Sequence, residues 1–297
     1  MRTYLLVLFW ATALLALNFT VELENEFIDE LPLNGLRFLG YFALYSIAYY
    51  TAVLIVLSRV SKEERKEKLS KKFWIVSLGG ILIYSADTGF LFHKQLLDFI
   101  GEPEQLYRFN YAVLSNSIEF ITIALPLFLV NRLFIHNRQD NLGINKKEIE
   151  LKPFFVLLLM IAPFIFISAY EKGLNNYYPT FRYASAANTL GVPVWVPASI
   201  YELFYGLDFF NVELMFRGFM VVGMVAILGR HSILPMTVFY CSIHFGKPML
   251  EAISSLFGGY ILGAIAYQTR AIWGGVIVHI GLAWMMELSA YIVKHCI

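Results

Sequence analysis

Charge is what this sequence has least of. Only 15% of its 297 residues are Asp, Glu, Lys or Arg, against 58% hydrophobic and 16% aromatic, where ordinary soluble domains run near a quarter charged. A mean hydropathy of +0.62 excludes a soluble globular chain and puts this one in a bilayer. Cysteine is almost missing as well: Cys241 and Cys296 cannot build a disulfide framework. The net charge of +1 says nothing about nucleic acid, but no basic stripe interleaved with aromatics appears, so no nucleic-acid partner is expected. No internal repeat is visible, and the alternating segments of about ten residues that a membrane barrel needs are absent. The remaining class is all-α: a polytopic membrane protein of about eight to ten transmembrane helices.

What the sequence does have is long apolar runs, of the roughly 20 residues that a helix needs to cross about 30 Å of hydrocarbon. They fall near 4–21, 38–58, 73–92, 112–134, 154–170, 196–210, 211–229, 232–246, 250–268 and 272–293. The first follows Arg2, but no small-x-small cleavage pattern precedes VELENEF, so an uncleaved helix is expected rather than a signal peptide. Residues 59–72 hold seven Lys and Arg, and residues 132–152 hold Arg132, Arg138, Lys146, Lys147 and Lys152, which puts both loops on the cytoplasmic side. The loops around 22–37 and 93–111 are acid-rich and fall on the other side. So does 174–190, a polar, aromatic segment broken by Pro179 that reads as a loop. Residues 1–190 form an N-terminal set of helices with little internal chemistry beyond Asp87 and Glu119, and residues 191–297 form a core in which polar groups recur at membrane depth.

A charge at membrane depth costs at least ~2.5 kcal/mol and is tolerated beside a partner or a wet cavity. In VELMFRGF, Glu213 and Arg217 stand four apart, one turn up the same helix face, within reach of a charge-assisted pair. Such a pair either serves a site or only registers helices. His244 ends an apolar run just before Gly246, Lys247 and Pro248, where proline interrupts the helix; a bonded structural histidine is the plain alternative. Glu251 either accepts from that imidazole or pairs with Lys247. His279 sits near the middle of the last span, with Glu287 two turns on. Gly259 and Gly263 form a small-xxx-small pair suited to close helix packing. No G-x-S-x-G elbow occurs, Ser242 and Ser254 have no evident base, and Cys241 reads as a small buried thiol rather than half of a dyad with His244. Taken together, Glu213, Arg217, His244 and His279 are a set able to polarise water and bind an oxyanion.

At these residues the sequence resembles the CPBP intramembrane proteases, the family of type II CAAX prenyl endopeptidases and of bacteriocin-processing and immunity proteins. The family's E-E-x-x-x-R motif falls on Val212 to Arg217, F-x-x-x-H on Tyr240 to His244, and H-x-x-x-N/D on His279 to Ala283. Two positions depart from it. Val212 replaces the first glutamate, while Glu213 keeps its spacing to arginine; Ala283 replaces Asn or Asp, and a methyl donates nothing to an oxyanion. The resemblance spans about residues 197–293. It implies Glu213 as catalytic base, His244 as its helper in activating water, Arg217 as the group that holds the glutamate, and His279 as the oxyanion contact. Glu251, Glu287, Tyr201, Tyr205 and Glu202 are expected to line or support the cavity.

The expected function is therefore an intramembrane endopeptidase in a bacterial cytoplasmic membrane, cutting a peptide or membrane-anchored protein. For a cofactor the expectation is none or zinc. Glu213, His244 and His279 could make a three-ligand site with an open position, but the H-E-x-x-H spacing is missing. The alternatives are an inactive scaffold or immunity-type protein, which Ala283 favours, and a transporter, which would more often show repeated halves.

Overall fold

The computed structural model describes residues 2–101, 104–136, 140–145 and 149–296, and Arg138, Lys146 and Lys147 of the basic loops lie outside them. Every regular element among the described residues is helical. The main helices are α1 (Arg2–Val21), α2 (Asn34–Leu57), α3 (Lys71–Phe90), α4 (Glu104–Glu119), α5 (Lys152–Ser168), α6 (Trp195–Glu213), α7 (Ile233–Ser242), α8 (Met249–Thr269) and α9 (Trp273–His295).

The all-α membrane class holds, with a correction to the count. Among the described residues seven helical stretches are long and apolar enough to cross a bilayer, rather than eight to ten. The spans expected at 196–210, 211–229 and 232–246 belong to one apolar stretch, Trp195–Ser242, because α6 runs on without a break through Leu214–Gly223. At 1.5 Å per residue those 48 residues would reach about 70 Å if straight. Instead the stretch turns at Gly229–Ser232, where Gly229 takes a positive φ of 59°. The span expected at 154–170 is α5, only 17 residues long. The loop expected at 174–190 contains two short helices, Lys172–Tyr177 and Ser185–Leu190.

The chain divides into two compact units. The first comprises Met1–Phe90, Ile123–Ile149 and Glu213–Trp273. Its centre is α2, whose buried Tyr41, Tyr45, Ala48, Tyr49, Ala52 and Val56 recur every three or four residues, the spacing of one helical face. That face packs on α3 and α7. Phe239 of α7 lies edge-on or tilted against Tyr45, Tyr84 and Phe216, at 5.1, 5.9 and 5.0 Å between ring centres. Gly259 and Gly263 of α8 do what their spacing predicts. A Cβ on Gly259 would lie 2.8 Å from Cδ1 of Tyr240, and one on Gly263 would run into the methyl of Met236, so side chains of α7 rest directly on the α8 backbone.

Two groups of contacts tie together the loops at the two ends of this unit. At one end Lys68 donates to the Leu228 carbonyl, Lys72 to that of Ile135, and Ile272 N–H to that of Gly143. At the other, Asn18 donates to the Phe245 carbonyl and Asn34 to that of Phe90.

The second unit comprises Leu91–Thr122, Glu150–Val212 and Gly274–Ile297. Its core joins Phe109 and Ala112 of α4, Ala186 of the short helix before α6, Tyr201 and Tyr205 of α6 itself, and Ala283 of α9. On α9, Gly274 and Gly281 admit Phe154 and Leu158 of α5, which a Cβ at either position would strike. A cleft of about 780 Å³ opens between the 179–184 segment, the start of α6 and the end of α9, lined among others by Trp195, Glu202, Trp284, Glu287 and His295.

Candidate active site

Glu213 closes the regular part of α6, and beyond it the helix widens to i→i+5 hydrogen bonding over Leu214–Gly223. Such wide turns are rare and concentrate at functional sites. Here the wider turn brings residues four apart closer to vertical alignment. Arg217 Nη1 lies 2.9 Å from Glu213 Oε1 with the two side chains 1% and 0% exposed. An ion pair so deeply buried survives only because each charge compensates the other.

A third group completes the arrangement. The Arg217 guanidinium carbon sits 4.1 Å from the centre of the Tyr240 ring, cation–π geometry in a desolvated setting. Tyr240 in turn meets the His244 ring edge-on at 4.7 Å. Tyr240 is itself fixed by Phe216 at 5.1 Å and by the close approach of Gly259. The order Glu213, Arg217, Tyr240, His244 is therefore one continuous chain of contacts inside the first unit.

His244 stands just past the last turn of α7. Its Nδ1 lies 2.9 Å from the Tyr240 carbonyl. A carbonyl only accepts, so Nδ1 carries the proton and Nε2 is the acceptor, the tautomer that general-base work requires. Beyond it, Lys247 N–H bonds back to the His244 carbonyl at 3.0 Å, and Pro248 leads into α8. Glu251 stands in the first turn of α8 with Oε1 3.9 Å from Lys247 Nζ, a long ion pair. The alternative nucleophiles are engaged elsewhere. Cys241 Sγ donates to the Ala252 carbonyl at 3.5 Å, and Ser242 and Ser254 bond back to carbonyls of their own helices.

The remaining expected residues belong to the second unit. His279 of α9 stacks on Phe209 of α6 at 5.0 Å. Tyr205 stacks on Tyr201 at 5.7 Å. Glu287, expected to line or support the cavity, ties α9 to the segment around Thr180. It accepts from Thr180 N–H at 2.8 and 3.0 Å and from the Thr180 hydroxyl at 2.6 Å, and that hydroxyl accepts from Tyr201 at 2.8 Å. Glu202 lines the same cleft as Glu287, and its backbone carbonyl accepts from Trp284. Ala283 packs its methyl among Phe109, Tyr201 and Tyr205. Among the described residues no three His, Cys, Asp or Glu side chains are grouped to hold a metal ion.

Three features escape a reading of the sequence. Tyr240 enters there only as a stand-in for phenylalanine, although an aromatic four residues before a helix-borne histidine shares its face. Asn211, wholly buried two residues before Glu213, is hidden inside an apolar run. Asn18 and Glu24 give no signal, because their partners are more than 200 residues away.

A search of curated proteins and a search of solved structures each returned no match. Residues 194–285 match the family described as type II CAAX prenyl endopeptidase Rce1-like, overlapping the stretch that carries the motif resemblance. That segment, about a third of the chain, holds Glu213, Arg217, His244 and His279, and over it the protein is similar to the Rce1-like type II CAAX prenyl endopeptidases.

Proposed function

We propose that this multi-pass membrane protein is an endopeptidase that hydrolyses a peptide bond within the bilayer using water activated by Glu213 and His244. The observation that carries the reading is the contact chain from the buried Glu213–Arg217 pair through Tyr240 to His244. Glu213 accepts a proton from water while His244 Nε2 orders it, and the resulting hydroxide adds to the scissile carbonyl carbon. The family motif gives His279 the contact to the tetrahedral oxygen. Collapse breaks the C–N bond, and the amine leaves with the proton returned from Glu213. Arg217 holds the carboxylate in its rotamer. The substrate is a peptide or membrane-anchored protein, cut in the cytoplasmic membrane of a bacterium.

The packing of Ala283 in an apolar cluster favours a second reading, a binding scaffold that has lost the donor needed for hydrolysis. Cleavage of membrane-anchored reporters by the purified protein in vesicles separates the two. Under the protease reading Glu213→Ala and His244→Ala each lower the rate by at least about 100-fold, the usual worth of a positioned acid–base group. Cleavage that persists in both variants refutes the site, and reporters that bind without being cut establish the scaffold.

A further inference from the structure

The segment after α1 forms a strap across the break that follows His244. It leaves α1 through Glu22, which sits in the left-handed region at φ 49°, an uncommon conformation for a residue with a side chain. It continues as the wide helical turn Leu23–Ile28. Its far end is pinned by Asp29. The Asp29 carbonyl accepts from Arg37 at 2.7 Å, and its carboxylate accepts from Arg37 at 2.8 Å and from the Tyr41 hydroxyl at 2.7 Å. Ile28 is buried against α2 at Gly40, where a Cβ would lie 3.1 Å away.

Between these two ends, two side chains reach the His244 break. Asn18, 1% exposed, uses both halves of its amide: Nδ2 donates to the Phe245 carbonyl at 2.9 Å, and Oδ1 accepts from the Glu24 N–H at 3.2 Å. Glu24 accepts from the Gly246 N–H, and its Oε1 occupies the space that a side chain on Gly246 would need, 2.8 Å from the Cβ position. The Phe245–Gly246 peptide group is thus held at both its carbonyl and its N–H, from outside its own helix, by residues more than 200 positions earlier. A helix end interrupted by proline has no continuing ladder to fix it, so these contacts set where α7 ends and where its last side chain points.

We propose that Asn18 and Glu24 are positioning residues for His244, clamping the Phe245–Gly246 peptide so that the imidazole keeps its place beside Tyr240. This rests on the catalytic role proposed for His244. Neither residue touches substrate; each acts through the backbone.

Two readouts on the full-length protein in vesicles test the clamp. Hydrogen exchange at the Gly246 amide reports the clamp itself, and kcat and KM for reporter cleavage report its consequence. Glu24→Ala is expected to raise Gly246 exchange about tenfold, the effect of losing one buried hydrogen bond, and to lower kcat by a similar factor with KM unchanged. Glu24→Gln, whose amide oxygen still accepts, is expected to restore both. Asn18→Ala should reproduce the loss, and if it fails to fold the Glu24 pair decides alone. Unchanged Gly246 protection in Glu24→Ala overturns the proposal, as does raised exchange with kcat intact. His244→Ala run in parallel separates the failures: if that variant still cleaves, the catalytic reading of His244 falls. If cleavage is not measurable in the wild type, the rate of His244 modification by diethyl pyrocarbonate replaces kcat. A rate changed in Glu24→Ala and restored in Glu24→Gln supports the clamp, and a rate equal in all three proteins overturns it.

Discussion

Arg217 is among the largest fully buried side chains of the protein, and its energetics are dominated by what happens if it is left alone or removed. Deleting one member of a buried pair strands the other charge, at a cost of about 3–5 kcal/mol, whereas replacing both with apolar groups is often neutral. Arg217→Ala should therefore lower the thermal unfolding midpoint substantially in detergent, and the double variant Glu213→Leu with Arg217→Met should recover most of that loss while remaining inactive. Recovery of activity along with stability would contradict the catalytic role. Glu24 supplies a second residue-scale prediction. Burial first, then the Asp29 carboxylate, push its carboxyl from the usual 4.5 up to about 8. The docked strap therefore holds a proton that a released strap, with an ordinary glutamate, has already given up, so docking weakens as pH rises from about 4.5 to about 8 and levels off above. Asp29, Tyr41, Tyr45 and Lys247 are the charged and titratable groups that face it. Gly246 exchange, corrected for its intrinsic pH dependence, should accelerate over that window in the wild type and stay flat in Glu24→Gln.

At the scale of elements, the approach of α8 to α7 decides where Tyr240 stands. The ring has no room to retreat, since Phe216 lies 5.1 Å away and the Arg217 guanidinium lies over its face. Gly259→Val should thus be overpacked, costing about 1–3 kcal/mol, and should disturb the cation–π contact as well as the fold. Gly258→Val is the control, because a Cβ there meets nothing within 4 Å. Thermal unfolding of the two variants should differ by that amount, and equal midpoints would show that α7 and α8 separate freely. The small-xxx-small spacing made this packing legible in the sequence. The wide turn at Leu214–Gly223 was not, since no side-chain periodicity marks a change from i→i+4 to i→i+5 when all ten residues are buried on every side.

For the whole molecule, the alternation of apolar runs and basic loops leads us to propose that the 59–72 and 132–152 loops share one side of the membrane and that the 174–190 segment lies on the other. Single cysteines placed at Lys66 and at Asn176, in a background lacking Cys241 and Cys296, should label with a membrane-impermeant thiol reagent from opposite sides, Lys66→Cys only after the cytoplasmic side is exposed. Labelling of both from one side would overturn the topology. The two compact units each draw on segments from both sides of residue 190. Glu213, Arg217, His244 and Glu251 fall in the first, and His279, Glu287, Tyr205 and Glu202 in the second.

The sequence by itself determined that this chain lives in a bilayer, that it is helical, and that ionisable groups at 213, 217, 244 and 279 require explanation. Those conclusions come from local chemistry, because an unpaired backbone or charge in hydrocarbon is too unfavourable to hide. Only the tertiary structure decided what each of those groups is bonded to. It gave Arg217 a tyrosine as well as a glutamate, assigned the His244 proton to Nδ1, tied Glu287 to Thr180, and brought Asn18 and Glu24 to the peptide after His244. Such partners come from helices far apart in the chain, and in an apolar solvent, where nearly every face is equally oily, the pattern of side chains carries little record of which faces meet.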